Sequence, residues 1–369
     1  MVFAAPELVE AEPIEVFGEV DVALELQRRV FAGGVVRGEE RSETQAGHAA
    51  MVGSLEISAA TGHRTCNDLD VADVELRAPD DDDVEAISRV VDAQDTAWWG
   101  EPDGDVDDVR EELDRVRRAM GSLEVGARVA VVDGIIVGAA MAVGHGHTSV
   151  AIDAPAGDAS AVRRALFDWL TELGDDTQIE SPAQDAGRMA DLDALGFVPV
   201  RSSFELERPG HTSDLPEPTW PDGIVPVPFR LGVDDEELHA MLYDFWADVP
   251  GHTDRPIEEW RSSILAGPWF DADLVVIARG DGGIGPIVGG VLGRTFTGGV
   301  GWVSQLGVAR SARGLGLGRA ILIESCRRLG VKGPRIIGLG VEAENANALG
   351  LYRSVGFEIC REWIHCSRT

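Results

Sequence analysis

"ARGLGLGRA", Ala312–Ala320, sets glycines at 314, 316 and 318 behind Arg313 and ahead of a run with helical spacing. Glycine adopts left-handed backbone without penalty and lets the main chain close on a ligand. Where such a turn opens a helix, successive N–H groups and the helix dipole form an anion cradle. Positive charge is scarce in this chain, with 32 Lys and Arg against 64 Asp and Glu, and a cradle of uncharged N–H donors needs little of it. Other phosphate loops fit worse: G-x-G-x-x-G requires glycine where Arg319 or Ile321 stands, and no Gly-Lys-Ser/Thr P-loop occurs.

A chain of 369 residues has room for two packed cores. No apolar run reaches the roughly 18 residues of a membrane span. The opening "MVFAAPELVEAEP" lacks the basic flank and apolar core of a signal peptide, so a cytoplasmic location is expected. The four cysteines, Cys66, Cys326, Cys360 and Cys366, lack C-x-x-C spacing and read as reduced thiols. Cys360, His365 and Cys366 lack a second ligand pair, and no metal is expected. The net charge of −32 excludes nucleic acid and anionic membrane as natural partners; it reads first as a solvated surface and second as a field favouring cationic substrates.

Residues 1–70 are acidic, then Gly/Ser/Thr-rich; they read as a partly disordered extension with one short helix, Val20–Ala32, and with Met51 as an alternative start. From Val74 the pattern sharpens. "VELRAP" reads as a strand, "DDDDVEAISRVVDAQ" and "VDDVREELDRVRRAMG" as Asp-capped helices, and "ARVAVVDGIIVGAAMAVG" as two strands turning at Asp133-Gly134. A further strand, a helix and a closing strand pair in "DALGFVPVRSSFELER" complete residues 74–207. Residues 208–223, with four prolines, read as a linker, and 224–369 repeat the same order. "DGIIVGAAM" echoes "GGIGPIVGGVL", and "DALGFVPV" echoes "RSVGFEIC", which marks a diverged duplication. The first half is shorter between the matched glycines, and the missing stretch holds the arginine-glycine loop.

Arg313-x-x-Gly316-x-Gly318, followed by "VEAENANALGLYRSVGF" (Val341–Phe357), resembles the two sequence blocks of the GNAT superfamily of acyl-CoA-dependent N-acetyltransferases. The likeness spans about Ile224 to Trp363. It implies a mixed α/β (α+β) fold: two tandem GNAT-like domains, each a twisted, mostly antiparallel sheet flanked by helices, with a splayed parallel strand pair at the cofactor site. It also implies acetyl-CoA as co-substrate. Arg313, Gly314, Leu315, Gly316, Leu317, Gly318 and Arg319 would bind its pyrophosphate, Leu306 and Val308 would pair with the pantetheine, and Asn345 would contact the pantetheine arm. The backbone N–H of Leu306 would face the oxyanion, and Tyr352 would protonate the departing thiolate.

The implied activity is acetyl transfer to a primary amine of a small molecule by direct attack in a ternary complex. The general base stays open among Glu342, Glu344, His252, Asp254, Glu258 and Glu259, and Trp246, Trp260, Trp269 and Trp302 either wall the acceptor pocket or pack the core. Counting back from the matched Gly-Phe pairs, Asn345 corresponds to Asp185 and Tyr352 to Leu192. The first half therefore reads as a degenerate, non-catalytic domain. One decayed half in a tandem resembles the mycothiol synthases and related tandem acetyltransferases. Acetylation of a cysteinyl amine, a protein or peptide acetyltransferase, and a non-catalytic acyl-CoA sensor remain alternatives. The oligomeric state is open, with a monomer compatible with the tandem.

Overall fold

The computed structural model describes residues 73–368, apart from 101, 103, 143–146, 153–159, 175–176, 247–255, 268 and 297; for 147–152 and 245–246 it describes the backbone alone. The extension 1–70, with the helix expected at Val20–Ala32, lies outside the described residues.

The first half runs β1 (Glu75–Arg77), α1 (Val84–Trp99), α2 (Val106–Met120), α3 (Leu123–Gly126), β2 (Ala127–Val132), β3 (Ile135–Ala142), β4 (His147–Ile152), α4 (Ser160–Thr171), β5 (Gln178–Pro182), α5 (Ala186–Ala194) and β6 (Phe197–Pro209). Local chemistry explains its boundaries. Asp105 caps α2 by accepting the N–H groups of Asp107 at 2.8 Å and Asp108 at 3.1 Å, and Gly121 ends the helix at φ +83°. Asp133 and Gly134 both take positive φ, the hairpin geometry that an Asp-Gly pair favours.

The second half repeats the order: β7 (Val225–Pro228), α6 (Asp235–Trp246), α7 (Ile257–Trp260), β8 (Val275–Arg279), β9 (Ile287–Phe296), β10 (Val300–Val308), α8 (Leu317–Val331), β11 (Ile336–Glu342), α9 (Ala346–Ser354) and β12 (Glu358–Arg368).

Among the described residues all twelve strands form one sheet, ordered β1-β2-β3-β4-β5-β12-β6-β11-β10-β9-β8-β7. Its pairings are antiparallel except β4–β5 and β10–β11. The closing strands are exchanged. β6 lies between β11 and β12, and β12 lies between β5 and β6. Where the sequence predicts a closing strand pair, β6 is a single long strand, because β11 and β12 cover both its edges. The exchange also shares the cores. Leu206 of β6 is buried with Ile337 and Leu339 of the second half, worth about 2 kcal/mol of transfer free energy. Cys366 of β12 is buried with Leu166 and Phe167 of the first. No helix among the described residues is long and apolar enough to cross a membrane.

Candidate active site

β10 and β11 pair in parallel only from Val300–Ile336 to Trp302–Gly338. Beyond that point β10 continues to Val308 against β9, and β11 to Glu342 against β6, so an opening widens between them. Just past the fork, β10 carries a bulge. Val303 pairs with Gly293 and Leu306 with Val291, so β10 has one residue more than β9 in that interval. The N–H of Ala309 donates to Val288 O at 2.9 Å, towards β9. Strand alternation then turns the N–H groups of Leu306 and Val308 the other way, into the opening.

The arginine-glycine loop caps the wide end of this opening. Gly314 and Gly316 take φ +73° and +82°, and a Cβ added to either would meet only open space. The glycines serve the backbone conformation and the access of a ligand, and neither is needed for close packing here. Arg313 reaches back to Val308, its Nε donating to the carbonyl oxygen at 3.3 Å. Gly314, Leu315 and Gly316 are exposed, whereas Leu317 and Gly318 are buried. The first intrahelical bond of α8 runs from Ala320 N–H to Gly316 O at 3.2 Å, so the N–H groups of Leu317, Gly318 and Arg319 precede any intrahelical acceptor. Arg319 donates to Ser354 O at 3.4 Å, which ties the first turn of α8 to the end of α9. At Gly289 a Cβ would lie 2.6 Å from Ile321 Cδ1 and 3.1 Å from Leu317 Cδ2, so this bare position on β9 lets α8 settle close to the sheet.

On the opposite wall, Asn345 caps α9, its Oδ1 accepting the Ala348 N–H at 3.0 Å. The cap uses the carbonyl end of the carboxamide alone. Its Nδ2 is buried and makes no hydrogen bond among the described residues, an orphaned donor of the kind that a ligand carbonyl satisfies. Two turns on, Tyr352 is 2% exposed and packs edge-on to Phe357 at 6.2 Å. Burial raises the phenol above its ordinary pKa, so the Tyr352 hydroxyl stays protonated throughout the neutral range.

The remaining candidates divide. Glu342, at the end of β11, is ion-paired at 2.5 Å to Arg201 of the exchanged strand β6. Glu344 is exposed in the turn before α9, and Glu258 pairs with Arg261 at 2.9 Å on α7, beside the exposed Glu259. His252 and Asp254 lie outside the described residues, as does the side chain of Trp246. Trp260 and Trp302 are fully buried, whereas Trp269 is half-buried with the Arg294 guanidinium 4.3 Å above its ring. On β12, His365 approaches Ser203 at 2.8 Å and Glu180 at 3.0 Å.

Sequence reasoning passed over Gln305, whose Oε1 accepts the Trp260 indole N–H at 3.2 Å beside the bulge, and Arg201. A polar residue in the apolar run "WVSQLGV" was a usable signal for the first; only the strand exchange brings in the second. The first half has a fork of its own. Among the described residues β4 and β5 pair there at His147–Gln178 and Thr148–Ile179, and Asp185 caps α5 by accepting the Arg188 N–H at 2.8 Å. Asp185 Oδ2 accepts the Trp98 indole N–H at 3.0 Å, and Leu192 is fully buried.

The second half thus combines a parallel fork with a bulged strand, a glycine loop before a helix and an Asn-capped helix carrying a tyrosine. The Acetyltransferase (GNAT) family profile matches residues 237–357, which hold all of these parts of the second half. A mycothiol acetyltransferase of Frankia alni is 30% identical over 243 residues, covering 59% of this chain and 71% of that protein. The chain belongs to the GNAT family of acetyltransferases. One of Thermomonospora curvata is 34% identical over 164 residues, 44% of this chain; the chain spans about half of that relative's length, 54%. The solved GCN5-related N-acetyltransferase of Sphaerobacter thermophilus superposes with a TM-score of 0.65 at 26% identity, covering 79% of this chain and 94% of that one. Acetyl-CoA is the co-substrate of GNAT acetyltransferases, and the fork, the exposed glycine loop and the orphaned Asn345 amide fit its three parts.

Proposed function

We propose that residues 224–369 catalyse transfer of an acetyl group from acetyl-CoA to a primary amine of a small molecule, by direct attack within a ternary complex. The observation that carries this reading is the buried, unpartnered Nδ2 of Asn345 on one wall of the β10–β11 opening. The N–H groups of Leu306 and Val308 turn into the other wall. Leu306 and Val308 align the pantetheine as an added strand, and Asn345 satisfies one of its carbonyls. Arg313 to Arg319 bind the pyrophosphate, chiefly through backbone donors, so the strongly acidic chain needs few cations there.

The amine attacks as a free base. As its nitrogen bonds to the thioester carbon, the Leu306 N–H holds the oxygen that gains charge. The C–S bond then breaks, and Tyr352 gives its proton to the departing sulfur while the amine nitrogen sheds one to water or a nearby base. The products are an amide and a thiol.

Residues 74–207 act as a non-catalytic partner domain, joined through 208–223. Asp185 in place of Asn345 presents a carboxylate to an anionic co-substrate, Trp98 already occupies its second oxygen, and Leu192 has no proton to give. The mycothiol acetyltransferases among the relatives make a cysteinyl amine of the mycothiol type the first acceptor to assay. The test is turnover of acetyl-CoA by the full chain over a panel of small amines, the cysteinyl amine among them, with basic peptides in parallel. Amide formation on a small amine supports the reading. Transfer to peptides alone moves the activity to protein acetylation, and acetyl-CoA binding without turnover on any acceptor overturns catalysis.

A further inference from the structure

Gln305 sits in the irregular segment of β10, directly before Leu306. A bulge bends its strand and re-aims the residues that follow, so whatever fixes this bulge also fixes the direction of the Leu306 N–H. The Gln305 side chain is buried, and its Oε1 takes the indole N–H of Trp260 at 3.2 Å. Trp260 is the last residue of α7, where the helix passes into a π-helical turn, Arg261–Leu265, a local irregularity that often marks functional positions. His239 of α6 packs edge-on to the Trp260 ring at 5.3 Å. The next residue, Arg261, bonds Asp235 at 2.7 Å, Glu236 at 3.1 Å and Glu258 at 2.9 Å, which locks α7 to the first turn of α6. The helical layer on this face is thus connected to the bulge by a buried hydrogen bond. A buried indole N–H needs an acceptor, and here that acceptor is a side chain of the bulge itself.

We infer that Trp260 is a positioning residue: through Gln305 it holds the β10 bulge so that the Leu306 N–H points at the thioester oxygen. The inference rests on the reading of Leu306 as oxyanion donor. It is specific to this pair of side chains, and it couples the helices α6 and α7 to the reacting carbonyl. A shift of the donor by about 1 Å is enough to cost on the order of a hundredfold in rate.

Infrared difference spectra of the full chain with acetyl-CoA carrying carbon-13 at the acetyl carbonyl test this without an acceptor. A donor aimed at the oxygen lowers the C=O stretch. Trp260→Phe keeps an aromatic ring and deletes the N–H; Gln305→Met keeps the length and deletes the acceptor, and serves alone if the first variant fails to fold. The expected result is a lowered stretch in wild type, most of that shift lost in either variant with no further loss in the double, and acetyl-CoA affinity unchanged. A shift that survives both substitutions, or losses that add, overturns the role of Trp260 while leaving Leu306 as donor. No lowering in wild type removes Leu306 as the donor, and the inference with it.

Discussion

Asn345 and Asp185 occupy the same place in the two halves: each caps the helix that follows a splayed strand, Asn345 Oδ1 accepting the Ala348 N–H at 3.0 Å and Asp185 Oδ1 the Arg188 N–H at 2.8 Å. The caps are equivalent, but the second side-chain atom is not. In Asn345 it is an unpartnered N–H donor; in Asp185 it is an acceptor already holding Trp98.

Asn345→Asp makes the second half resemble the first at this one atom. The cap survives, since aspartate caps as well as asparagine, so the melting temperature stays near wild type. Acetyl-CoA affinity falls by roughly tenfold to a hundredfold, the cost of replacing a satisfied buried donor by a carboxylate. Calorimetric titration and a thermal melt of the same sample check both halves of this expectation.

At the glycine loop, Gly316→Ala and Gly316→Glu separate conformation from charge. Gly316 has φ +82° with no atom near the site of a Cβ, so alanine meets no steric clash and costs about 1 kcal/mol of backbone strain. Glutamate adds a negative charge where the pyrophosphate is proposed to sit, and acetyl-CoA binding is lost. Equal affinity in the two variants would argue that the loop is a turn and not a cradle.

Tyr352→Phe keeps the ring against Phe357 and removes the proton. The rate with an active amine falls by about a hundredfold or more, with acetyl-CoA affinity retained. Because burial raises the phenol's pKa, its protonated form persists as pH rises past the ordinary value of about 10. The Tyr352 phenol therefore contributes no alkaline fall in the rate between about pH 7 and pH 10. A rate limb in that range that disappears in Tyr352→Phe would contradict its assignment.

Asp234 anchors the start of α6. Its carboxylate accepts three bonds from Arg230 (backbone N, Nε and Nη2) and one from Arg279 at 2.9 Å, and the Arg230 guanidinium, with Arg279, holds its pKa down to about 2. A pKa lowered in the folded state stabilises the protein above the unfolded-state value near 4, and that stabilisation is lost as pH falls through about 2. Asp234→Asn should therefore lower stability by about 2 kcal/mol at neutral pH, with the gap to wild type closing below about pH 4. Urea melts of both proteins at several pH values measure the gap; a gap independent of pH would assign the loss to packing.

Local chemistry made much of this molecule legible. The Asp caps, the Asp133-Gly134 turn and the echo of "DALGFVPV" in "RSVGFEIC" are short-range signals, and the elements follow them. The glycine loop sits before α8, and the Asn-to-Tyr block lies on the start and interior of α9, as their spacing predicts. The strand exchange was not legible. The choice of neighbour for β6 and β12 is made by long-range packing, with Leu206 buried in the core that holds Ile337 and Cys366 in the core that holds Phe167. The same exchange places Arg201 on Glu342, so no local window contains that pair. Gln305–Trp260 and Trp98–Asp185 are likewise contacts between distant segments, visible only once the helices are docked.

One half of this tandem, the second, is proposed to bind acetyl-CoA and do the chemistry. Calorimetric titration of the full chain with acetyl-CoA, for wild type and for Gly316→Glu, counts the working sites. The expected result is one equivalent bound by wild type and none by the variant. Two equivalents in wild type, with one of them surviving in Gly316→Glu, would place a working site in the first half and overturn this.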